Sequence, residues 1–170
     1  GGAAAWIDAA RSFDPLEAAT RGVALRDLPI LVPLHTGEAL EMAGALLAAD
    51  AADLLVLDLS LVRSAAVRSD ALERLAARAR RAGTSLLLLL DHAMPVHVDA
   101  AVSCAVVSWL RVGTDVIGRR VLLTMEAGPR TGATAVVDVY EGRGARADLR
   151  IGRLPIEEVA CAPLRSTGQH

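Results

Sequence analysis

The sequence predicts an α/β fold, a mostly parallel sheet flanked by helices and extended by an antiparallel C-terminal meander. Three observations carry this expectation. First, the runs Asp53-Leu54-Leu55-Val56-Leu57-Asp58 and Ser85–Leu90 are short and continuously apolar, as parallel strands buried on both faces are. Second, helical apolar periodicity alternates with such runs across residues 3–91. Third, beyond residue 91 the period shifts toward partial alternation, punctuated by Gly113, Gly128-Pro129 and Gly142-Arg143-Gly144. The 170 residues suit one domain, drawn over 1–154, with a tail at 155–170.

The elements follow in order. Ala3-Ala4-Ala5-Trp6-Ile7-Asp8 reads as a short strand, and its abrupt start leads us to expect a preceding segment. Asp14 is placed to cap a short helix, with Pro15 as its first residue and Gly22 as its stop. Pro29–Leu34 is a second strand. Thr36 is expected to cap a longer helix whose apolar face holds Leu40, Ala43, Leu47 and Ala48. The Asp53–Asp58 strand comes next. Ser64–Ala82 forms a helix, with Val67, Ala71, Leu72, Leu75, Ala76 and Ala79 on one stripe and Gly83 ending it. Ser85–Leu90 is a buried strand closed by Asp91. Ala105–Val112, Arg119–Met125, Ala133–Glu141 and Ala147–Gly152 make the meander, and Ile156–Ala160 is a short helix of the tail.

Composition narrows the function classes. All 18 basic residues are arginine, and no G-x-x-x-x-G-K-[ST] phosphate loop occurs. The aromatics Trp6, Phe13, Trp109 and Tyr140 are too few and scattered for a base-stacking platform, and each is expected in the core. Cys104 and Cys161 lack metal-ligand spacing and do not group with His35, His92, His97 or His170, so no metal is expected and both thiols are expected to be reduced and buried. No apolar run is long enough for a membrane span. Residues 1–60 carry three Arg against nine acids, and residues 61–153 carry fourteen against nine. The basic half could face a polyanion or an acidic protein patch.

Several segments together resemble the core of RecA recombinase in order and spacing. These are Trp6-Ile7-Asp8-Ala9-Ala10 with Asp14-Pro15, then His35-Thr36-Gly37-Glu38-Ala39-Leu40-Glu41, then Asp53–Asp58. Asp115-Val116-Ile117-Gly118, before a hairpin, and the turn Tyr140-Glu141-Gly142-Arg143-Gly144 continue the resemblance, which covers about residues 4–152. It implies a RecA-like sheet, and its departures imply lost catalysis. Ala10 stands where that family places the glutamate that activates water. Asp91-His92 stands where it places the Asn-Gln pair that senses the γ-phosphate. The connections matching its two DNA-binding loops are shorter. Met125–Gly128, matching its paired lysines, is uncharged apart from Glu126. Only the Walker B-like Asp58 is retained, within a run that any buried parallel strand could show.

A RecA-like chain without these groups resembles the ImuA group of accessory proteins. The resemblance implies a non-enzymatic role in SOS mutagenesis and translesion DNA synthesis, without cofactor, in the cytoplasm, through contact with RecA and an ImuB-like Y-family polymerase homologue. Asp8 and Asp58 are then vestiges of a nucleotide or metal site, and the bland alternative is strand-end acids. Arg119, Arg120, Arg130, Arg143 and Arg146 are candidates for partner or weak DNA contact, although neighbours Arg119 and Arg120 must face opposite ways on a strand. Asp91-His92 is weighed as an acid–base pair and set aside, because strand neighbours diverge and no nucleophile joins them. His97 reads as a surface loop residue. Self-association is a further expectation. The alternative reading is a RecA paralogue that binds ATP or DNA, its P-loop lying upstream of Gly1.

Overall fold

The computed structural model describes residues 2–62 and 67–140, and the backbone of 148–150. The chain divides into two compact units that meet in sequence at His97 and Val98, whereas the sequence had suggested one domain over 1–154.

The first unit holds strands β1 (Ala4–Asp8), β2 (Ile30–Leu31), β3 (Leu54–Asp58) and β4 (Ser85–Leu89), with helices α1 (Pro15–Thr20), α2 (Thr36–Ala48) and α3 (Ser69–Ala82). The four strands form a parallel sheet in the order β2-β1-β3-β4. Asp14 caps α1 as expected, its carboxylate accepting from Leu16 and Glu17 N–H at 2.8 and 3.0 Å. In α2 the cap is His35 rather than Thr36. His35 Nδ1 accepts from Glu38 N–H at 3.1 Å, and Glu38 reaches back to accept from Leu34 N–H. This reciprocal pair satisfies two donors, as a capping box does, with imidazole in the place of a hydroxyl. Helix α3 starts at Ser69, later than the periodicity suggested. Arg68 is extended and offers no side-chain cap, and Val67 ahead of it is buried in the core. Gly83, at φ +72, ends α3 in the left-handed conformation that glycine adopts without strain.

The core of this unit lies between the sheet and the face of α2 and α3. Ala5 and Ile7 of β1, Leu55 and Leu57 of β3, and Leu59 meet Ala39, Ala43 and Leu47 of α2 and Leu72, Leu75 and Ala79 of α3. Ile7, Leu55, Leu57 and Leu72 are fully buried. Burying each such side chain contributes about 1.5–3 kcal/mol. Small residues let the helices approach, and Arg78 of α3 donates to the Gly44 carbonyl of α2 at 3.0 Å.

The second unit is an antiparallel sheet of β5 (Ala101–Val112), β6 (Asp115–Ala127), β7 (Thr134–Tyr140) and β8 (Asp148–Arg150), in that order. The meander was expected to extend the parallel sheet; it forms a sheet of its own. Its first turn is the Gly113-Thr114 pair, Gly113 at φ +62, which joins Val112 to Asp115. That hairpin therefore precedes Asp115-Val116-Ile117-Gly118, which belongs to β6. Cross-strand partners place Val102, Cys104 and Val106 opposite Met125, Leu123 and Val121, with Ala135 and Val137 beyond. This is an apolar face. It is also an exposed one at β5, where Val102, Val106 and Trp109 keep about half their surface in solvent. Trp109 and Cys104, expected in the core, are both exposed, because no described element of this unit packs over them. Cys161, Arg143, Arg146, the Tyr140–Gly144 turn beyond Tyr140 and the 155–170 tail lie outside the described residues.

Candidate functional site

Asp8 and Asp58 end β1 and β3, and the parallel register sets them directly side by side. The sequence places them 50 residues apart in number; the sheet makes them neighbours at the strand C-termini, where open α/β sheets bind ligands. Both are buried, Asp8 to 5% exposure and Asp58 to 2%.

Each carboxylate oxygen already has a donor. Asp8 Oδ1 accepts from Ser12 N–H at 2.9 Å and Oδ2 from Phe13 N–H at 3.1 Å. Asp58 Oδ1 accepts from Ser60 N–H at 3.0 Å and from Ser60 Oγ–H at 2.7 Å. Asp58 Oδ2 accepts from Ser12 Oγ–H at 2.7 Å. Ser12 therefore bridges the two acids, its amide on one and its hydroxyl on the other. The loop from Ala9 to Phe13 folds over the strand ends. Ala9 and Ala10 N–H both donate to the Asp58 carbonyl at 3.2 Å, Arg11 takes φ +54, and the Phe13 ring meets Trp6 edge-on at 5.0 Å. Ala10 thus contributes its main chain and no proton acceptor. Such an arrangement satisfies two buried charges through five hydrogen-bond donors.

Ser12 and Ser60 are the residues that the sequence reading missed. Ser60 had a legible signal, since a serine two residues past an aspartate favours an Asx-type turn. Ser12 had none, because its second bond crosses to another strand.

Asp91 and His92 do meet: His92 Nδ1 contacts Asp91 Oδ1. They follow β4 in a bend, so the opposed directions of strand neighbours do not apply. His97 is tied to α3. Its N–H donates to Glu73 Oε1 at 2.9 Å, and Arg80 donates to its carbonyl at 2.7 Å. The His97 amide, with the imidazole behind it, holds Glu73 below the usual carboxylate range.

The described arginine candidates, Arg119, Arg120 and Arg130, are not gathered. Arg120 makes a two-bond pair with Asp138 across β6 and β7, at 2.7 and 2.9 Å. Asp138 is 8% exposed, and its hydrogen bond raises the Arg120 guanidinium above its ordinary value. Arg119 stands across from Trp109 and Val139, on the opposite face, and Arg130 lies in the exposed β6–β7 loop. Among the described residues no group of three His, Cys, Asp or Glu side chains is placed to hold a metal ion. No described helix is long and apolar enough to cross a membrane. No protein-family model matches the chain, and no curated protein matches it.

Proposed function

We propose that this chain is a non-catalytic, RecA-like accessory protein of the ImuA kind. It acts in the cytoplasm during SOS mutagenesis and translesion synthesis, by contact with RecA and an ImuB-type polymerase homologue. One observation carries the non-catalytic part of the reading. Every carboxylate oxygen of the two strand-end acids already accepts a hydrogen bond from Ser12, Phe13 or Ser60, which supports reading them as structural clasps for the loops beyond β1 and β3. The residue types agree: Ala10 lacks a proton acceptor, and the chain has no lysine for a β/γ-phosphate. A scaffold kept without those groups has its surface left to act with, and that is the basis for assigning a binding role.

The test has two arms. In thermal-shift measurements ATP with Mg²⁺ leaves the melting temperature unchanged; a rise of several degrees reverses the assignment in favour of a nucleotide-binding paralogue. In co-elution and filament-length assays the chain binds RecA or shortens its filaments. Absence of both effects removes the accessory reading.

A further inference from the structure

The sheet of the first unit treats its two edges differently. At one edge β2 is only two residues long and lies between Pro29 and Pro33. Short edge strands and flanking prolines are how proteins prevent edge-to-edge pairing. The outer strand β5 of the second sheet is interrupted by three register shifts, which is another such device. β4 has neither. It reads Ser85-Leu86-Leu87-Leu88-Leu89, pairs with β3 without a bulge, and contains no charge or proline.

The free side of β4 can be assigned atom by atom. Ser85 N–H donates to the Asp53 carbonyl at 2.8 Å, and the Leu89 carbonyl accepts from Leu59 N–H at 2.9 Å. Ser85, Leu87 and Leu89 therefore turn their main chain toward β3. By alternation Leu86 and Leu88 aim N–H and C=O at the outer edge, where no described strand lies. On the sheet face, Leu87 is 46% exposed. An apolar, flat, unblunted edge of this kind is a template for another strand.

We propose that β4 pairs antiparallel with β4 of a second copy of this chain, so that two parallel sheets join through a two-fold axis. Charge selects both the occupant and the direction. Asp91, exposed and in contact with His92, follows one end of β4, while Arg81, exposed and without a partner among the described residues, precedes the other end at the close of α3. Antiparallel pairing centred on Leu88 sets Asp91 of each copy across from Ser85 of the other, toward the end that bears Arg81. Parallel pairing sets Asp91 beside Asp91, a repulsion. Leucine faces leucine at the paired positions from Leu86 to Leu90, and Leu87 of one copy is covered by Leu89 of the other. The contact is isologous and closes at two copies.

The test uses the full chain in sedimentation and hydrogen exchange. The wild type forms a dimer, and Leu87→Lys, at an exposed position, raises the dissociation constant at least about tenfold while far-UV circular dichroism is unchanged. In the wild type the Leu86 and Leu88 amides gain protection as concentration rises, whereas those of Leu87 and Leu89 do not change. That pattern reads out the edge itself and does not depend on the variant. A chain that stays monomeric at about 100 µM overturns the proposal. So does a dimer indifferent to Leu87→Lys, or one whose Leu86 and Leu88 amides stay unprotected. Protection of those two amides in a monomer also overturns it, since another segment then covers the edge.

Discussion

At the scale of single residues, the two strand-end acids look equivalent in sequence and differ in what they accept. Both oxygens of Asp8 receive backbone N–H groups, from Ser12 and Phe13. An asparagine there must turn its NH₂ toward one of those donors. Asp8→Asn is expected to cost about 1–3 kcal/mol in chemical denaturation, the penalty of a buried donor without an acceptor. Asp58 differs because one of its partners is the Ser12 hydroxyl, which can accept as well as donate. An asparagine keeps its carbonyl on Ser60 and donates to Ser12 Oγ, so Asp58→Asn is expected to cost less than about 1 kcal/mol. Equal, large losses from both substitutions argue against the clasp description. Arg120 is the third such residue. Arg120→Ala removes the two charge-assisted hydrogen bonds that the nearly buried Asp138 receives from it, and a loss of about 1–3 kcal/mol is expected. In a salt series of single-stranded DNA binding, Arg120→Ala should bind no more weakly than wild type, since this guanidinium is already engaged.

At the scale of elements, one strand and one helix end make sharp predictions. Gly118 sits within β6 opposite Tyr140, and a Cβ there runs into the Val139 carbonyl and lies 2.9 Å from Tyr140 Cα. The obstacle is backbone, which cannot swing aside, so Gly118→Val is expected to destabilise the β6–β7 pairing by about 1–3 kcal/mol, read as faster amide exchange there. At the start of α3, hydrogen bonds from Arg68 and then Arg74 hold Asp70 well below its ordinary 3.8, at about 2. A depressed carboxylate contributes stability that is present above its unfolded value and lost as pH falls through its folded value. The window is therefore from about pH 4 down to about pH 2. Asp70→Asn should flatten the acid limb of a stability profile in that window, and added salt should reduce the difference because the group is at the surface. The apolar stripe of this helix and its glycine stop are legible in the sequence, but its first turn is not. Apolar residues before Ser69 continue the helical pattern, yet Val67 is drawn into the core, a tertiary effect that local propensity does not contain. In the same way periodicity announces the strands of the meander without saying which sheet they join, since alternation fixes a face and not a neighbour.

At the scale of the whole molecule, the distribution of burial is uneven. Every buried apolar residue among those described, from Ala5 to Ala79, belongs to the first unit. Composition could not show this, because Val102, Val106 and Trp109 are as apolar as the core and stand exposed. The same limit applies to the site: Asp8 and Asp58 were legible as strand-end acids, while Ser12, which joins them, depends on a loop bridging two strands. A layered parallel sheet with helices on its core and a sheet whose apolar face lacks a described layer should differ in local stability. Hydrogen exchange of the full chain should therefore rank the amides of β1 and β3 as the slowest, with those of β5 and β7 opening at lower free energy. The core side of this ranking can be attacked at one point. Leu72 is fully buried where α3 meets the sheet, with Leu55 and Leu57 in the same cluster. Leu72→Ala leaves a cavity there and should lower the opening free energy of the Leu55 and Leu57 amides by about 2–5 kcal/mol. If those amides keep their wild-type exchange rates in Leu72→Ala, the core does not lie where the sheet and α3 place it, because a cavity at its centre cannot be neutral.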